Sequence, residues 1–291
     1  VLGWLVGDGH LKNGEERAVL NFYDEDTEIS DQFAKDVNEI VREPLGNANY
    51  EVGVSDISRS DNYRGPQAVE QRIRSVRLYE YAEQAGLARD KLQVPEAVVR
   101  GSEEMARGFL QALFTADGHV EGTPESGFSV RLTSIDPDLL RNVQRLLANF
   151  GIRSQIYQDR KSGGTKELPD GHGGTAEYET TSSHQLAISS THLIAFEEEI
   201  GFLLDEKEEQ LSDTLDEYGR GPYVGRFEAT VESVEHDGTE QVYDLTEPDT
   251  HSFIANGIIV HNCGEQPLEE YEACNLGHIN LSTLAAEDAP D

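Results

Sequence analysis

Two stretches of the chain repeat one another and so limit what it can fold into. "VLGWLVGDGHL" (1–11) and "LQALFTADGHV" (110–120) each pair an apolar, helix-like run with Asp-Gly-His, with a small residue, Gly3 or Ala112, three places in. A second pair follows in the same order: "LYEYAEQAGLARDK" (78–91) and "LIAFEEEIGFLLDEK" (193–207) align Leu78 with Leu193, Tyr81 with Phe196, Gly86 with Gly201 and Asp90 with Asp205. Two features recurring in order at nearly one offset signal a duplicated unit. Each unit reads helix, strands, helix, strands, helix. In the second, "FSVRLTS" (128–134) and "HQLAIS" (184–189) read as strands. Residues 136–152 read as an amphipathic helix with a Leu139, Leu140, Val143, Leu146, Leu147 stripe, ended by Gly151. The Gly-rich stretch 161–175 reads as a loop. In the first unit, "QRIRSVR" (71–77) alternates, with Arg72 and Arg74 on one face and Ile73 on the other. The expected fold class is α+β with pseudo-twofold symmetry.

The formal net charge of −33, from 56 acidic and 23 basic residues, first suggests disorder. Persistent apolar periodicity argues instead for a globular protein adapted to a salty, halophilic cytosol, where charge is screened over roughly 3 Å at molar salt. Acidity therefore does not exclude a nucleic-acid partner. No apolar run is long enough to span a membrane, and no basic-then-apolar leader opens the chain. Two cysteines, Cys263 and Cys274, make no disulfide framework. A cytoplasmic location with no membrane partner is expected. The chain opens at Val1 inside a structured motif, so a preceding N-terminal portion is expected.

The helices at 1–7 and 110–116 are apolar nearly all round and should both be buried. Gly3 and Ala112 permit close backbone approach, and Gly9 and Gly118 are expected to end the helices as C′ glycines. Packing the helices together brings Asp8 and Asp117 near one another at their C-terminal ends. Carboxylates there meet an unfavourable helix dipole and repel each other. A divalent cation relieves both costs. Mg²⁺ suits such a site, because it keeps several waters and takes a few carboxylates plus substrate phosphates. Two such positions on a symmetric scaffold suit metal-assisted phosphodiester hydrolysis on two strands.

These paired motifs resemble those of the LAGLIDADG (DOD-type) homing endonucleases: "LQALFTADG" is the closer match, and "VLGWLVGDG" has the Gly-Asp-Gly form common in inteins. The resemblance covers residues 1–212. It implies two αββαββα-type units, double-stranded DNA bound by two saddle-shaped sheets, and Mg²⁺-dependent cleavage across the minor groove. By that match Asp8 and Asp117 are metal-binding and catalytic. Lys91 and Lys207, at matching places in the two repeats, correspond to lysines found near the metals. Arg72, Arg74 and Arg77 are candidate DNA contacts, and His10 and His119 follow each Asp-Gly.

Beyond residue 222 the pattern changes to short alternating runs broken by "HDG", "EPD" and "NG", which read as hairpins. They end in His261-Asn262-Cys263. An Asn amide can attack its own carbonyl and cleave the next peptide bond. A neighbouring His can serve as general acid and a Cys as acyl acceptor. The stretch "VYDLTEPDTHSFIANGIIVHN" (242–262) closely resembles the C-terminal splicing motifs of inteins, a β-rich Hint segment. That match makes His261 the penultimate histidine, Asn262 the cyclising asparagine and Cys263 the first downstream residue, with Asp244 and His251 assisting. An intein also needs an N-terminal splicing half, which is therefore an expected partner along with its N-terminal extein. Without it, residues 222–262 are expected at most to cleave at Asn262.

Residues 263–291 begin "CGEQPLEEYEACNLGHINLS", similar to the Asn-Pro-Cys-Gly-Glu region of ribonucleotide reductase large subunits, especially the cobalamin-dependent class. His278 stands where that pattern has Ser. The match makes Cys263 the radical-bearing cysteine and Glu265 an acid–base carboxylate of the host enzyme, with adenosylcobalamin the cofactor of the spliced reductase only. The expected whole is a piece of an intein inserted in a ribonucleoside-diphosphate reductase, its DNA partner the uninterrupted host allele. The alternative is the host reductase as the main function, with an inactive endonuclease.

Overall fold

Helix α1 (Leu2–Val6) has every residue buried, as the all-apolar run predicts. It packs on α5 (Glu103–Asp117), whose N-cap Ser102 accepts from the Met105 N–H. The computed structural model describes residues 1–12, 14–42, 50–57, 69–87, 91–123, 126–169, 175–217, 233–236, 238, 247, 250–255 and 258–261. The chain divides into two units, Val1–Thr230 and Val231–Asp291.

Within the first unit, α1 is followed by β1 (Gly9–Lys12), β2 (Arg17–Tyr23), a 3₁₀ turn, α2 (Ser30–Arg42), β3 (Ser55–Asp56), β4 (Glu70–Ser75) and α3 (Val76–Gln84). A short α4 (Glu96–Val99) leads to α5. Then come β5 (Gly118–Thr123), β6 (Gly127–Ser134), α6 (Pro137–Asn149), β7 (Ser154–Lys161), β8 (Gly164–Pro169), β9 (Thr175–Thr180), β10 (Ser183–Ser189), α7 (His192–Glu199) and α8 (Asp205–Glu217). The two four-stranded sheets are ordered β1-β2-β4-β3 and β5-β6-β10-β7. With β8 and β9 set aside, both read first, second, fourth, third. The duplication is therefore one of topology as well as sequence, and the α+β class with two antiparallel sheets holds.

Strand alternation sorts the faces. Ala18, Leu20 and Phe22 of β2 join Ile73 of β4 in the core. Asn21 lies opposite Arg72, and Val19 opposite both His10 and Arg74, so these side chains share the other face. In the second sheet Val130, Leu132, Leu186 and Ile188 fill the core, and Arg131 pairs with His119 and Ala187 on the far face. Helix α6 begins at an Asp136 N-cap that accepts from the Asp138 and Leu139 N–H groups, and its predicted stripe is buried.

Three expectations change. Gly9 and Gly118 are not left-handed C′ residues. Gly118 is extended (φ −87°, ψ 156°) and both glycines open strands. Close approach explains them: a Cβ at Gly118 would lie 2.4 Å from the Phe114 carbonyl oxygen, and one at Gly9 2.6 Å from that of Leu5. Gly86 (φ 84°) and Gly201 (φ 61°), which follow α3 and α7, are left-handed instead, as is Gly151 (φ 70°), which follows α6 as expected. After α3 the Gly86 N–H reaches Glu83 and the Leu87 N–H reaches Ala82, the paired bonds of a Schellman motif. Second, the stretch 161–175 is not all loop. β8 pairs with β9 in a separate two-stranded sheet. This hairpin lies between β7 and β10 in the chain, and its Gly-, Thr- and Glu-rich sequence lacks the apolar alternation that marks a strand. Third, β4 stops at Ser75, and Arg77 lies on α3.

In the second unit β11 (Ser252–Ala255) pairs with β12 (Ile258–His261), setting Ser252 opposite His261 and Phe253 opposite Val260. Among the described residues no helix is long and apolar enough to cross a membrane.

Candidate functional site

The α1–α5 crossing fixes the site. A Cβ on Gly3 would lie 2.1 Å from the Phe109 carbonyl oxygen. A Cβ on Gly7 would lie 2.6 Å from the Ala116 Cβ and 3.3 Å from Asp117 Oδ2. Gly3 with Gly7, against Ala112 with Ala116, thus form facing small-residue pairs spaced four apart. They let the two helix ends meet where Asp8 and Asp117 emerge. Gly7 is a residue that the sequence reading passed over, although its spacing from Gly3 was the available signal.

Burial, then the neighbouring Asp117 and Asp26, pushes the Asp8 carboxyl up to about 7, against the opposing pull of Lys91 and Lys207. Burial also raises Asp117, again opposed by Lys91 and Lys207. Asp117 is an exposed residue overall, but its carboxyl points into the junction beside Gly7, so the upward direction follows local crowding rather than whole-residue exposure.

The turns at Gly86 and Gly201 bring the two lysines to this junction. Lys91 Nζ donates to the Gly7 carbonyl, and Lys207 Nζ donates to the carbonyls of Thr115 and, at 3.1 Å, Gly118. Each lysine therefore holds orphan carbonyls at the C-terminal end of the helix from its own half. Their ammonium charge also meets the negative end of the helix dipole. The four residues Asp8, Asp117, Lys91 and Lys207, nearly 200 positions apart at the extremes, converge here.

Asn21 is a further residue that periodicity did not reveal. Its only sequence signal is a polar side chain inside the apolar run "AVLNFY". It is 7% exposed. Its backbone N–H and Nδ2 both donate to the Asp8 carbonyl, at 3.0 and 2.8 Å. Nδ2 also lies 3.3 Å from His10 Nδ1, and the Asn21 carbonyl accepts from Trp4 Nε1 at 2.9 Å. Trp4 in turn stacks on Phe22, ring centres 5.0 Å apart. The turn carrying Asp8 is thus anchored to the aromatic core. Burial, then Arg72, Lys12, Lys91 and Arg74, holds His10 below the usual imidazole range. His119, its counterpart, is exposed, with Nε2 3.6 Å from Glu121.

Arg72 is ion-paired with the buried Glu70, and Arg74 is exposed on the same sheet face. Arg77 is elsewhere: it stacks 4.1 Å over the Tyr50 ring and donates to the Val41 carbonyl at the end of α2. Arg131, missed in the sequence, lies on the outer face of the second sheet, 3.0 Å from Glu121 and 2.9 Å from Gln185 Oε1.

Among the described residues no three His, Cys, Asp or Glu side chains cluster as a metal cage. Two crowded carboxylates with hard oxygen donors fit a cation that completes its shell with water and a phosphate ligand, as Mg²⁺ does. In the second unit, His251 is exposed with a left-handed backbone (φ 52°). The N–H groups of Thr250 and His251 donate to Glu247 Oε2. His261 closes β12. Asp244, Asn262, Cys263 and Glu265 lie outside the described residues.

Residues 104–201 match the model of the LAGLIDADG-like domain, and the first half has the same strand order as the half that carries this match. Relatives add context. The ribonucleoside-diphosphate reductase NrdEB subunit alpha of Bacillus subtilis (strain 168) is 28% identical over 99% of this chain and 28% of its own length. A DNA polymerase of Thermococcus hydrothermalis is 35% identical over 58% of this chain and 10% of its own. The chain thus spans less than a third of the length of either. A solved structure of a mesophilic variant of the homing endonuclease I-DmoI covers 73% of this chain and 94% of its own at 21% identity and a TM-score of 0.45.

Proposed function

We propose that residues 1–212 are a divalent-metal-dependent, site-specific double-strand DNA endonuclease of the homing type. One observation carries this reading: two helix ends, packed through small residues, present Asp8 and Asp117 side by side, each helix end capped by a lysine of its own half. When bound, Mg²⁺ would supply Lewis-acid polarisation of a phosphodiester and a nucleophilic water. Asp8 and Asp117 would hold it. Lys91 and Lys207 stabilise negative charge at the junction and fix the helix ends. Arg72 and Arg74 are proposed DNA-backbone contacts on the first sheet. Arg77 is assigned to packing against Tyr50 instead.

The test is incubation of the folded chain with Mg²⁺, high KCl and the uninterrupted host gene. Both strands are expected to be cut, and Asp8→Ala or Asp117→Ala to abolish cutting. Intact DNA after treatment with well-folded wild type would sink the endonuclease reading.

Residues 222–262 are proposed as the C-terminal splicing segment of an intein, with His261, Asn262, Cys263, His251 and Asp244 in the roles given above. Residues 263–291 would begin the host enzyme. Likeness across nearly the whole chain to a protein named as a reductase favours a ribonucleotide-reductase host. The adenosylcobalamin expected of that host concerns Cys263 and Glu265 after splicing. Supplying the N-terminal splicing half should give a ligated product, and Asn262→Ala should prevent it.

A further inference from the structure

We propose that His10 donates a hydrogen bond from Nε2–H to the scissile phosphate of one DNA strand, held in that form by Asn21, and that the second half has no such donor. The proposal rests on the endonuclease reading. The Asp8 carbonyl can only accept, so the Asn21 amide nitrogen must face it. The second amide hydrogen is then directed at His10 Nδ1. Nδ1 accepts, so the ring proton sits on Nε2. This orientation leaves Asn21 Oδ1 buried without a partner among the described residues, which places the amide's hydrogen-bonding capacity on the Asp8 and His10 side.

His10, Lys91 and Asp117 line one cavity of about 490 Å³ beside Gly7 and Thr133. Its walls are mostly apolar, Leu11, Leu92 and Leu132 among them, so a phosphodiester entering it would find its ionic partners at Lys91, His10 and a cation held by Asp117. The class of ligand is therefore an anionic phosphate oxygen.

The second half differs at each step. Leu20 faces Gly9 and Leu132 faces Gly118, so Thr133 occupies the place of Asn21. A threonine has one side-chain donor where asparagine has two. His119 is exposed, and its Nε2 faces the Glu121 carboxylate rather than a cavity. The strand attacked with His10 in place should be cut faster than the other.

The test uses the full chain with Mg²⁺ and a circular duplex carrying the uninterrupted host gene, each strand labelled in turn. His10→Ala should slow one strand by about 100-fold, the scale for removing one donor to a developing oxyanion. The other strand should stay within about threefold, so nicked circles accumulate. His10→Gln, which keeps an N–H donor near the Nε2 position, should recover most of the loss. His119→Ala should leave both strands unchanged. The ¹⁵N imidazole spectrum of the folded wild type should show His10 protonated at Nε2 and bare at Nδ1, and Asn21→Thr should mix the two tautomers. Equal slowing of both strands, no slowing, or an Nδ1–H tautomer in the wild type overturns the proposal alone. A wild type that cuts neither strand overturns the endonuclease reading and the proposal with it.

Discussion

The two halves of the first unit share helix order, strand order and lysine placement, yet their outer sheet faces carry different chemistry. The first presents Lys12, Arg17, Arg72 and Arg74 with Glu70 as the buried counter-charge. The second presents Ser129, Thr133 and Gln185 around Arg131, which is tied to Glu121, with Lys161 opposite Ser183 and Arg160 over the Tyr157 ring towards the far edge. Core positions are constrained alike in both, because each sheet must bury one face. Outer positions are released from that constraint, and there the copies have diverged. Duplication preserves what packing requires and leaves the outer faces free to differ.

The largest expected effect tests the part held in common. Asp8→Asn and Asp117→Asn should each lower double-strand cleavage by about 10³-fold, as loss of a group acting at developing charge does, measured by linear product per unit time. A variant that retained full cleavage would break the equivalence of the two helix ends. Next, Gly3→Ala forces the α1 and α5 backbones apart and should cost about 3 kcal/mol in urea unfolding. Gly108→Ala, on the same α5 helix but with open space around it, should stabilise slightly by helix propensity. Equal effects would contradict the close crossing.

The difference between the faces predicts a salt signature. Arg72→Ala with Arg74→Ala should reduce the slope of log affinity against log salt by up to about 1.8, near 0.9 per lost phosphate contact. Arg131→Ala removes one guanidinium, paired with Glu121 as Arg72 is with Glu70, and should change the slope by at most about 0.9. Equal slopes would show that the two faces bind alike.

The smallest expected effect concerns stability and pH. The folded Asp8 carboxyl titrates near 7, above its unfolded value, so the native state binds more protons between roughly pH 4 and 7 and stability falls as pH rises through that window. Mg²⁺ should raise the Tm by a few degrees at pH 8 and have little effect at pH 5, where Asp8 is protonated. Asp8→Asn should raise the metal-free Tm at pH 8 and remove the Mg²⁺ response, as read by calorimetry.

The duplication, the paired Asp residues and the paired lysines were legible because each is a local pattern written twice. Gly86 and Gly201 were visible as matched letters, and the structure explains them as left-handed turns that aim the chain at the site. The β8–β9 hairpin was not legible, because its Gly-, Thr- and Glu-rich letters carry no apolar period. Arg77 was misplaced onto a strand because β-like alternation ran one turn into α3, where the Ser75 side chain caps the Leu78 N–H. Asn21 was hidden for another reason: its partners are the backbone of Asp8 and the ring of His10, contacts set by strand register rather than by spacing in sequence.

The α1–α5 seam has a consequence for how few molecules are needed. A helix as apolar as α1 requires a partner, and here the partner lies on the same chain, joined through residues 85–102. The encounter of the two halves is intramolecular, governed by tether length rather than by dilution. A two-chain assembly with the same seam would fall apart as its concentration dropped. A single copy of this chain carries both carboxylates already assembled.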